Sequence, residues 1–310
     1  MCGIAGMMTS GREPPPQATL DALRDAQAHR GPDGSRTHRA ANVGFVHNRL
    51  AIIDLATGEQ PLFEPEGAAL VANGEIYNYI ELRQALPDAR FATRSDCEPP
   101  LILYRREGLG FVERLRGMWA MAIHDPRAGR LVLSRDPFGI KPLYYVERDD
   151  GLAFASEPQA LVAAGLAPRA IDPRARAELL ELQFTSRRET IFPGIQRVLP
   201  GETIVAGDGR IIERRRRAAL PAGGEPELDE DGAVAALDAV LAGSVEMHQR
   251  SDVPYGMFLS GGIDSSAVLA LMARLNDRPV RAFTAHFPES TTLSPAACAA
   301  CASFQVGMMA

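Results

Sequence analysis

Between residues 253 and 287 the chain reads as a strand, a glycine-rich turn, a helix and a second strand, and that order leaves few folds open. Residues 253–259 are short and mostly apolar, Ser260-Gly261-Gly262 follows, 263–275 has helical spacing, and 280–287 is strand-like again. A strand that returns through a helix to a second strand is a βαβ unit and requires a parallel sheet. A helix over 233–245, with Leu237, Val240, Leu241 and Val245 apolar, precedes it.

The first 210 or so residues follow a different pattern. The runs 50–55, 69–72, 131–134, 143–146 and 152–155 are short, apolar and bounded by turn residues, as strands are. Helices are expected over 19–29, with Leu20 and Leu23 on one side, over 80–86 up to Pro87, and over 174–183 after Pro173. Many strands and few helices predict stacked sheets covered by helices, an α+β layering. Composition shifts at 214–230, where four arginines (214–217) precede the acid-rich 225–231, and this reads as a solvated linker. The expected division is a first domain over 1–213, a linker over 214–230 and a second domain over 231–310.

A length of 310 residues suffices for two cores. The net charge of −6 argues against a nucleic-acid-binding face as a main role. Four cysteines, Cys2, Cys97, Cys298 and Cys301, are too few and scattered for a disulfide framework. No secretory leader is expected from the opening residues, no apolar run approaches a membrane helix, and Cys2 occupies the position a myristoylation signal reserves for glycine. A reduced, cytoplasmic, soluble protein is expected.

Several segments carry chemistry. In Met1-Cys2-Gly3-Ile4-Ala5-Gly6, a small residue at position 2 permits removal of Met1. Cys2 would then hold a nucleophile and, in its own α-amine, a base; the competing reading is a buried core cysteine. The loop Ser260-Gly261-Gly262-Ile263-Asp264-Ser265-Ser266 lies between strand and helix, where glycines admit a ligand and amides and hydroxyls point at an anion. It lacks the Gly-Lys-Ser/Thr of a Walker loop. Asp264 beside phosphates suits a magnesium ligand. Asn73-Gly74 offers an amide and a backbone N–H for an oxyanion hole, or else a hairpin turn. Arg49 suits a bidentate carboxylate grip or a surface ion pair. Ser95-Asp96-Cys97-Glu98 offers carboxylates for an ammonium or a helix start with acids in its first turn.

Together these segments, with Arg30-Gly31-Pro32-Asp33, Arg49 to Asp54, Asn73 to Tyr79 and Ser134 to Tyr144, resemble in order and spacing the glutamine-hydrolysing asparagine synthetase family. The resemblance covers 1 to about 290. It implies a class II glutamine amidotransferase domain, an α+β N-terminal-nucleophile hydrolase sandwich (αββα), followed by an α/β pyrophosphatase-loop domain of the adenine nucleotide hydrolase type. It implies that Cys2 attacks glutamine, that Asn73 and Gly74 hold the oxyanion, that Arg49 grips the substrate carboxylate, and that Glu75 and Asp96 hold its ammonium. It further implies that ATP and Mg2+ sit on Leu259, Ser260, Gly261, Gly262, Asp264, Ser265 and Ser266. Ammonia would pass through a tunnel to adenylated aspartate. The small-molecule partners are glutamine, aspartate and ATP, with no nucleic acid, no membrane and a possible homodimer.

The chain departs from the family in two places. Cys97 stands where threonine is common, and Pro99-Pro100 follow it. Residues 291–310 carry no charge and are expected not to continue the family pattern, so the second domain is expected to be incomplete, through truncation or a shifted reading frame. Cys298-Ala299-Ala300-Cys301 reads as a metal or redox pair or, with no second pair nearby, as accident. The alternatives to asparagine synthesis are an amidotransferase for another adenylated carboxylate and a non-catalytic glutamine-binding remnant.

Overall fold

Inner-strand residues in the first part of the chain alternate between two faces, and both faces are buried. The computed structural model describes residues 1–220, 222–224, 228–285 and 306–309. These fall into two compact units, 1–222 and 223–310. The first unit contains, in order, β1 (Gly3–Thr9), α1 (Gln17–Ala26), β2 (Gly34–Ala40), β3 (Val43–Arg49), β4 (Leu62–Phe63) and β5 (Ala69–Ile76). Next come α2 (Tyr79–Gln84), α3 (Glu98–Glu107), β6 (Gly117–Asp125), β7 (Arg130–Arg135), β8 (Tyr144–Arg148) and β9 (Gly151–Ala155). It ends with α4 (Pro158–Ala163), α5 (Pro173–Leu182), β10 (Gln196–Arg197), β11 (Glu202–Gly207) and β12 (Arg210–Arg216).

The strands form two six-stranded antiparallel sheets, ordered β10-β8-β9-β1-β3-β2 and β12-β11-β7-β6-β5-β4. On β1, Ile4 and Met8 pack toward the second sheet, whereas Ala5 and Met7 pack with Leu20, Leu23, Ala160 and Leu161 of α1 and α4. On β5, Ala69 and Val71 complete the inter-sheet layer, whereas Leu70 and Ala72 meet Leu82 and Leu101 of α2 and α3. The result is four layers, αββα. Strands buried on both faces read as continuous apolar runs, which is why 131–134 and 152–155 were legible as strands.

Two expectations are corrected. Residues 50–55 are loop, not strand. Asp54 takes a φ of +52°, and its carboxylate accepts the Thr57 N–H (2.9 Å), the Thr57 hydroxyl (2.6 Å) and the Arg94 N–H (2.8 Å), so a side-chain-closed turn replaces the extended backbone. The arginine run is not a linker: Arg214, Arg215 and Arg216 belong to edge strand β12, paired along β11, so a boundary at 213 falls inside a strand. Arg214 reaches buried Glu202 (3.2 Å) and the Tyr145 hydroxyl (2.9 Å), and the Arg217 N–H bonds Gly201 O (2.9 Å). Charged side chains on an edge strand also discourage pairing with another chain.

The second unit contains α6 (Glu230–His248), β13 (Met257–Phe258), α7 (Ile263–Leu275), β14 (Ala282–Ala285) and β15 (Val306–Met309). Its three strands are parallel, in the order β13-β14-β15, with α7 as the first crossover. Leu259, Leu269, Met272, Val280 and Ala282 form its core. The readings placed on 286–305, Cys298 and Cys301 included, lie outside the described residues. Among the described residues, no helix is long and apolar enough to cross a membrane.

Phe154 is fully buried between the sheets and meets Phe45 edge-on at 6.0 Å. Phe154→Ala should cost about 3–5 kcal/mol in urea unfolding, whereas Leu180→Ala, at a side chain 78% exposed, should stay within about 0.5 kcal/mol.

Candidate active site

The alternation that builds the inter-sheet core continues past it, and there the side chains turn polar. The inward row of β1, Met8 and Ile4, extends to Cys2; that of β3, Val43 and Phe45, extends to His47 and Arg49; that of β5, Ala69 and Val71, extends to Asn73 and Glu75. These five side chains, with Gly74 and Asp96, line one cavity. The expected glutamine-site residues therefore come together, from both sheets, at one end of the sandwich.

Cys2 sits against the next strand end, its Sγ 3.4 Å from the Leu50 N–H donor and 3.5 Å from Leu50 O. Buried Arg30 donates from Nε to the Cys2 carbonyl (2.9 Å) and pairs with Glu157 (2.7 Å). Behind it Gly31 lies so close to β3 that a Cβ would stand 2.3 Å from the Asn48 carbonyl, which only glycine allows. Burial pushes the Cys2 thiol above its ordinary range; the Leu50 N–H, the terminal amine, Lys141 and Arg49 act against that rise. Burial, with Arg30 and Lys141, lowers the terminal ammonium. The pair is thus biased toward thiol and neutral amine, the state from which the amine takes the thiol proton. Here the amine is that of Met1, which is 56% exposed at the terminus; removal of Met1 places it on Cys2 itself.

Asn73-Gly74 is strand, not turn: the two residues pair with Ala120 and Trp119 of β6. Asn73 is 1% exposed and its Nδ2 has no hydrogen-bond partner. A buried amide donor without an acceptor is costly unless a ligand supplies one. Gly74 approaches β6 so closely that a Cβ would stand 2.7 Å from Met118 O. The Arg49 guanidinium is held by the carbonyls of Ile53 (3.5 Å), Asp54 (2.5 Å) and Leu55 (3.4 Å), and its Nε–H has no partner among the described residues. The loop over 50–58 therefore orients this cation and leaves it without a carboxylate.

Asp96 precedes α3 and accepts the Ile76 N–H (2.8 Å). Burial, with Glu75 nearby, raises its carboxyl to about 6. Glu98 is excluded from the site: its carboxylate accepts the Ala92 N–H (2.6 Å) and the N–H and hydroxyl of Thr93 (2.9 and 2.6 Å), closing the loop before α3. Cys97 is buried and belongs to the core under α3. Pro99 and Pro100 fit because first-turn amides have no intrahelical partner.

In the second unit, Ser260, Gly261, Gly262, Asp264 and Ser266 are exposed and Ser265 is half-buried. Gly261 takes a φ of +78°, and α7 begins after Gly262 with no side-chain cap, so its first amides remain available to an anion. Ser260 and Ser265 hydroxyls meet at 3.1 Å, and Ser266 donates to Gly262 O (2.8 Å). This geometry fits a phosphate. Leu259 packs into the core, leaving no side chain for a ligand. No group of three or more His, Cys, Asp or Glu side chains fit to hold a metal occurs among the described residues, so Asp264 would need phosphate oxygens and water to complete a magnesium shell.

Three residues lining or bracing the first cavity escaped sequence reasoning: His47, Lys141 and Arg30. The period-two row Val43, Phe45, His47, Arg49 carried the signal for His47. His47 is buried, its imidazole driven down to about 4, with Nε2 unpartnered.

Residues 1–216 match the family model of the glutamine amidotransferase domain. The chain belongs to the glutamine amidotransferase family. Residues 236–306 of this amidotransferase chain match the asparagine synthase model, which runs past the expected limit near 290. Asparagine synthetase [glutamine-hydrolyzing] 2 of Bacillus subtilis is 36% identical over 89% of this chain and 39% of its own length. Amidase chry2 of Gibberella zeae is 33% identical over 89% of this chain and 43% of its own. The amidotransferase chain thus spans about two-fifths of the length of such relatives. The solved B. subtilis glutamine phosphoribosylpyrophosphate amidotransferase, complexed with ADP and GMP, matches at a TM-score of 0.50 and 19% identity over 92% of this chain and 75% of that one, a likeness of fold.

The Asp96 shift has a sign that unfolding experiments can read. The unfolded chain loses this proton near about 3.9, whereas the folded chain keeps it to about 6, so folded stability falls as pH rises across that interval and stays lower above it. Asp96→Asn removes the effect. The variant should gain about 2–3 kcal/mol relative to the parent between about pH 4 and pH 7, measured by urea unfolding; a pH-independent difference would contradict the assignment.

Proposed function

We propose that this chain hydrolyses glutamine at Cys2 and that the ammonia serves glutamine-dependent asparagine synthesis. One observation carries the reading: a buried, unpartnered Asn73 amide in the cavity that holds the Cys2 thiol. A thiol alone describes many buried cysteines. A thiol that shares its cavity with a donor without an acceptor describes a site awaiting a developing oxyanion.

The amine takes the Cys2 proton as Sγ attacks the side-chain carbonyl carbon of glutamine. Asn73 Nδ2 and the Gly74 N–H receive the oxyanion. The same proton passes to the departing nitrogen, which leaves as ammonia, and a thioester remains. Water then attacks the thioester, gives a proton back to Cys2 and releases glutamate. Arg49 grips the substrate α-carboxylate through its unpartnered donors, and Glu75 with Asp96 receives the α-ammonium, whose charge offsets the cost of ionising buried Asp96.

The synthetic half of the reaction is assigned to the whole enzyme. There ATP activates the aspartate β-carboxylate, ammonia displaces AMP, and asparagine and pyrophosphate result. The exposed loop from Ser260 to Ser266, with first-turn amides of α7, is the phosphate cradle, and Asp264 would hold Mg2+ through the phosphates. A homodimer in a reducing cytoplasm completes the proposal. A second reading is an acceptor carboxylate other than aspartate, since the Ser260 to Ser266 loop would cradle the phosphates of any adenylating ATP.

Glutamate and ammonia should appear in equal amounts from glutamine. Cys2→Ala should abolish both, and Asn73→Ala should lower kcat about 10²–10³-fold. Stabilisation by glutamine in thermal unfolding without ammonia release would leave only a binding protein. Mass spectrometry of products formed with ATP and a panel of amino-acid carboxylates separates aspartate from other acceptors.

A further inference from the structure

Of the 33 basic side chains, a single one is a lysine, and it lines the Cys2 cavity. Lys141 is 6% exposed. Its ammonium forms no hydrogen bond or ion pair among the described residues. Everywhere else this chain supplies positive charge as guanidinium, a broad planar group; here it supplies a compact, point-like cation.

The segment that delivers Lys141 is built for that placement. The Asp136 carboxylate is fully buried and accepts four backbone N–H groups, from Trp119 (3.3 Å), Phe138 (3.1 Å), Ile140 (2.9 Å) and Lys141 (3.0 Å). Arg135 clamps the other side, donating to the carbonyls of Gly139 (2.6 Å), Lys141 (2.7 Å) and Val198 (2.7 Å). Gly139 sits at φ +65°, where a Cβ would stand 2.8 Å from Pro200. With its oxygens occupied by backbone donors, Asp136 shapes the loop and does not pair with the lysine it positions.

A buried ammonium without a counter-charge is unfavourable until an anion arrives. The ionisable groups facing the cavity are the terminal amine, His47, Arg49, Glu75, Asp96 and Cys97, with Arg30 and Asp33 close to the amine. Glu75 and Asp96 are assigned to the substrate ammonium, and His47 is neutral. Arg49 is assigned to the substrate carboxylate and Asn73 with Gly74 to the oxyanion, which leaves the Cys2 thiolate as the anion without an assigned partner. We propose that Lys141 is a positioning residue for Cys2, its ammonium held in the cavity by the Asp136 loop to stabilise the thiolate and keep the terminal amine neutral. The electrostatic influence of Lys141 on the Cys2 thiol, and on the Met1 amine beside it, runs in that direction.

This inference deepens the glutaminase reading, so its test does not use glutamine turnover alone. Cys2 alkylation by iodoacetamide is followed peptide by peptide across pH, which separates it from the other thiols. In Lys141→Met the rate at pH 7 should fall at least about threefold, the midpoint moving up by about half a unit, whereas Lys141→Arg should stay near the parent. In turnover, kcat should fall with KM for glutamine unchanged. The parent protein offers an independent measurement that no folding defect can blur. Labelled with ¹³C at lysine Cε, it gives one lysine signal. That signal should move as Cys2 ionises and lose the step once Cys2 carries a neutral carboxamidomethyl group. A lysine signal blind to Cys2, or superimposable alkylation profiles in folded Lys141→Met and parent, overturns the proposal. A raised KM with unchanged alkylation also overturns it, placing Lys141 on the substrate instead.

Discussion

Burial of strands on both faces is the constraint on which the first unit rests. Each inner strand serves two cores at once, and a period of two assigns its residues to them without ambiguity. Ile4 and Met8 cannot exchange faces with Ala5 and Met7 without moving bulk from the inter-sheet layer to the helix layer. Register is therefore fixed along β1, β3 and β5. That same register delivers Cys2, His47, Arg49, Asn73 and Glu75 to one end of the inter-sheet layer. The site is the sandwich core with its inward residues changed from apolar to polar.

The polar end is kept in place by groups that touch neither thiol nor cavity centre. Arg30 holds the Cys2 carbonyl, the Asp54 turn shapes the loop whose carbonyls orient Arg49, Glu98 closes the approach to Asp96, and Asp136 gathers the loop that carries Lys141. Arg30 divides its donors between the Cys2 carbonyl and Glu157, and the three carboxylates accept backbone N–H groups, joined by the Thr57 hydroxyl at Asp54 and the Thr93 hydroxyl at Glu98. Buried carboxylates filled by N–H donors serve as scaffold; the cations of Arg49 and Lys141 and the carboxyl of Asp96 retain a demand for an ionic partner. Chemistry and architecture are divided between residues of the same type by whether their hydrogen bonds are already made.

Much of this was legible in the sequence, and the exceptions share a cause. Strands at 69–72, 131–134, 143–146 and 152–155 announced themselves as apolar runs, and the 263–275 helix followed directly from its spacing. The loop at 50–55 is as apolar as a strand, but its conformation is set by one aspartate bonding Thr57 and Arg94, the latter 40 residues away. The arginines from 214 onward looked solvated, but buried Glu202 and Tyr145 draw Arg214 into an edge strand. Glu98 looked equivalent to Asp96 as an ammonium ligand until its acceptor sites proved to be filled by residues 92 and 93. Long-range polar contacts leave no local period to read.

The order of motifs determined by itself that Cys2, Arg49, Asn73, Gly74, Glu75 and Asp96 belong together, and the βαβ pattern determined the parallel character of the second unit. Tertiary structure alone decided that Asn73 keeps a donor unpaired, that Asp96 holds its proton to about 6, and that the chain's one lysine lines the same cavity as the thiol. The physical reason is that patterning records which face a residue occupies. Burial, desolvation and the absence of a partner depend on what the opposite sheet and the distant loops bring to that face.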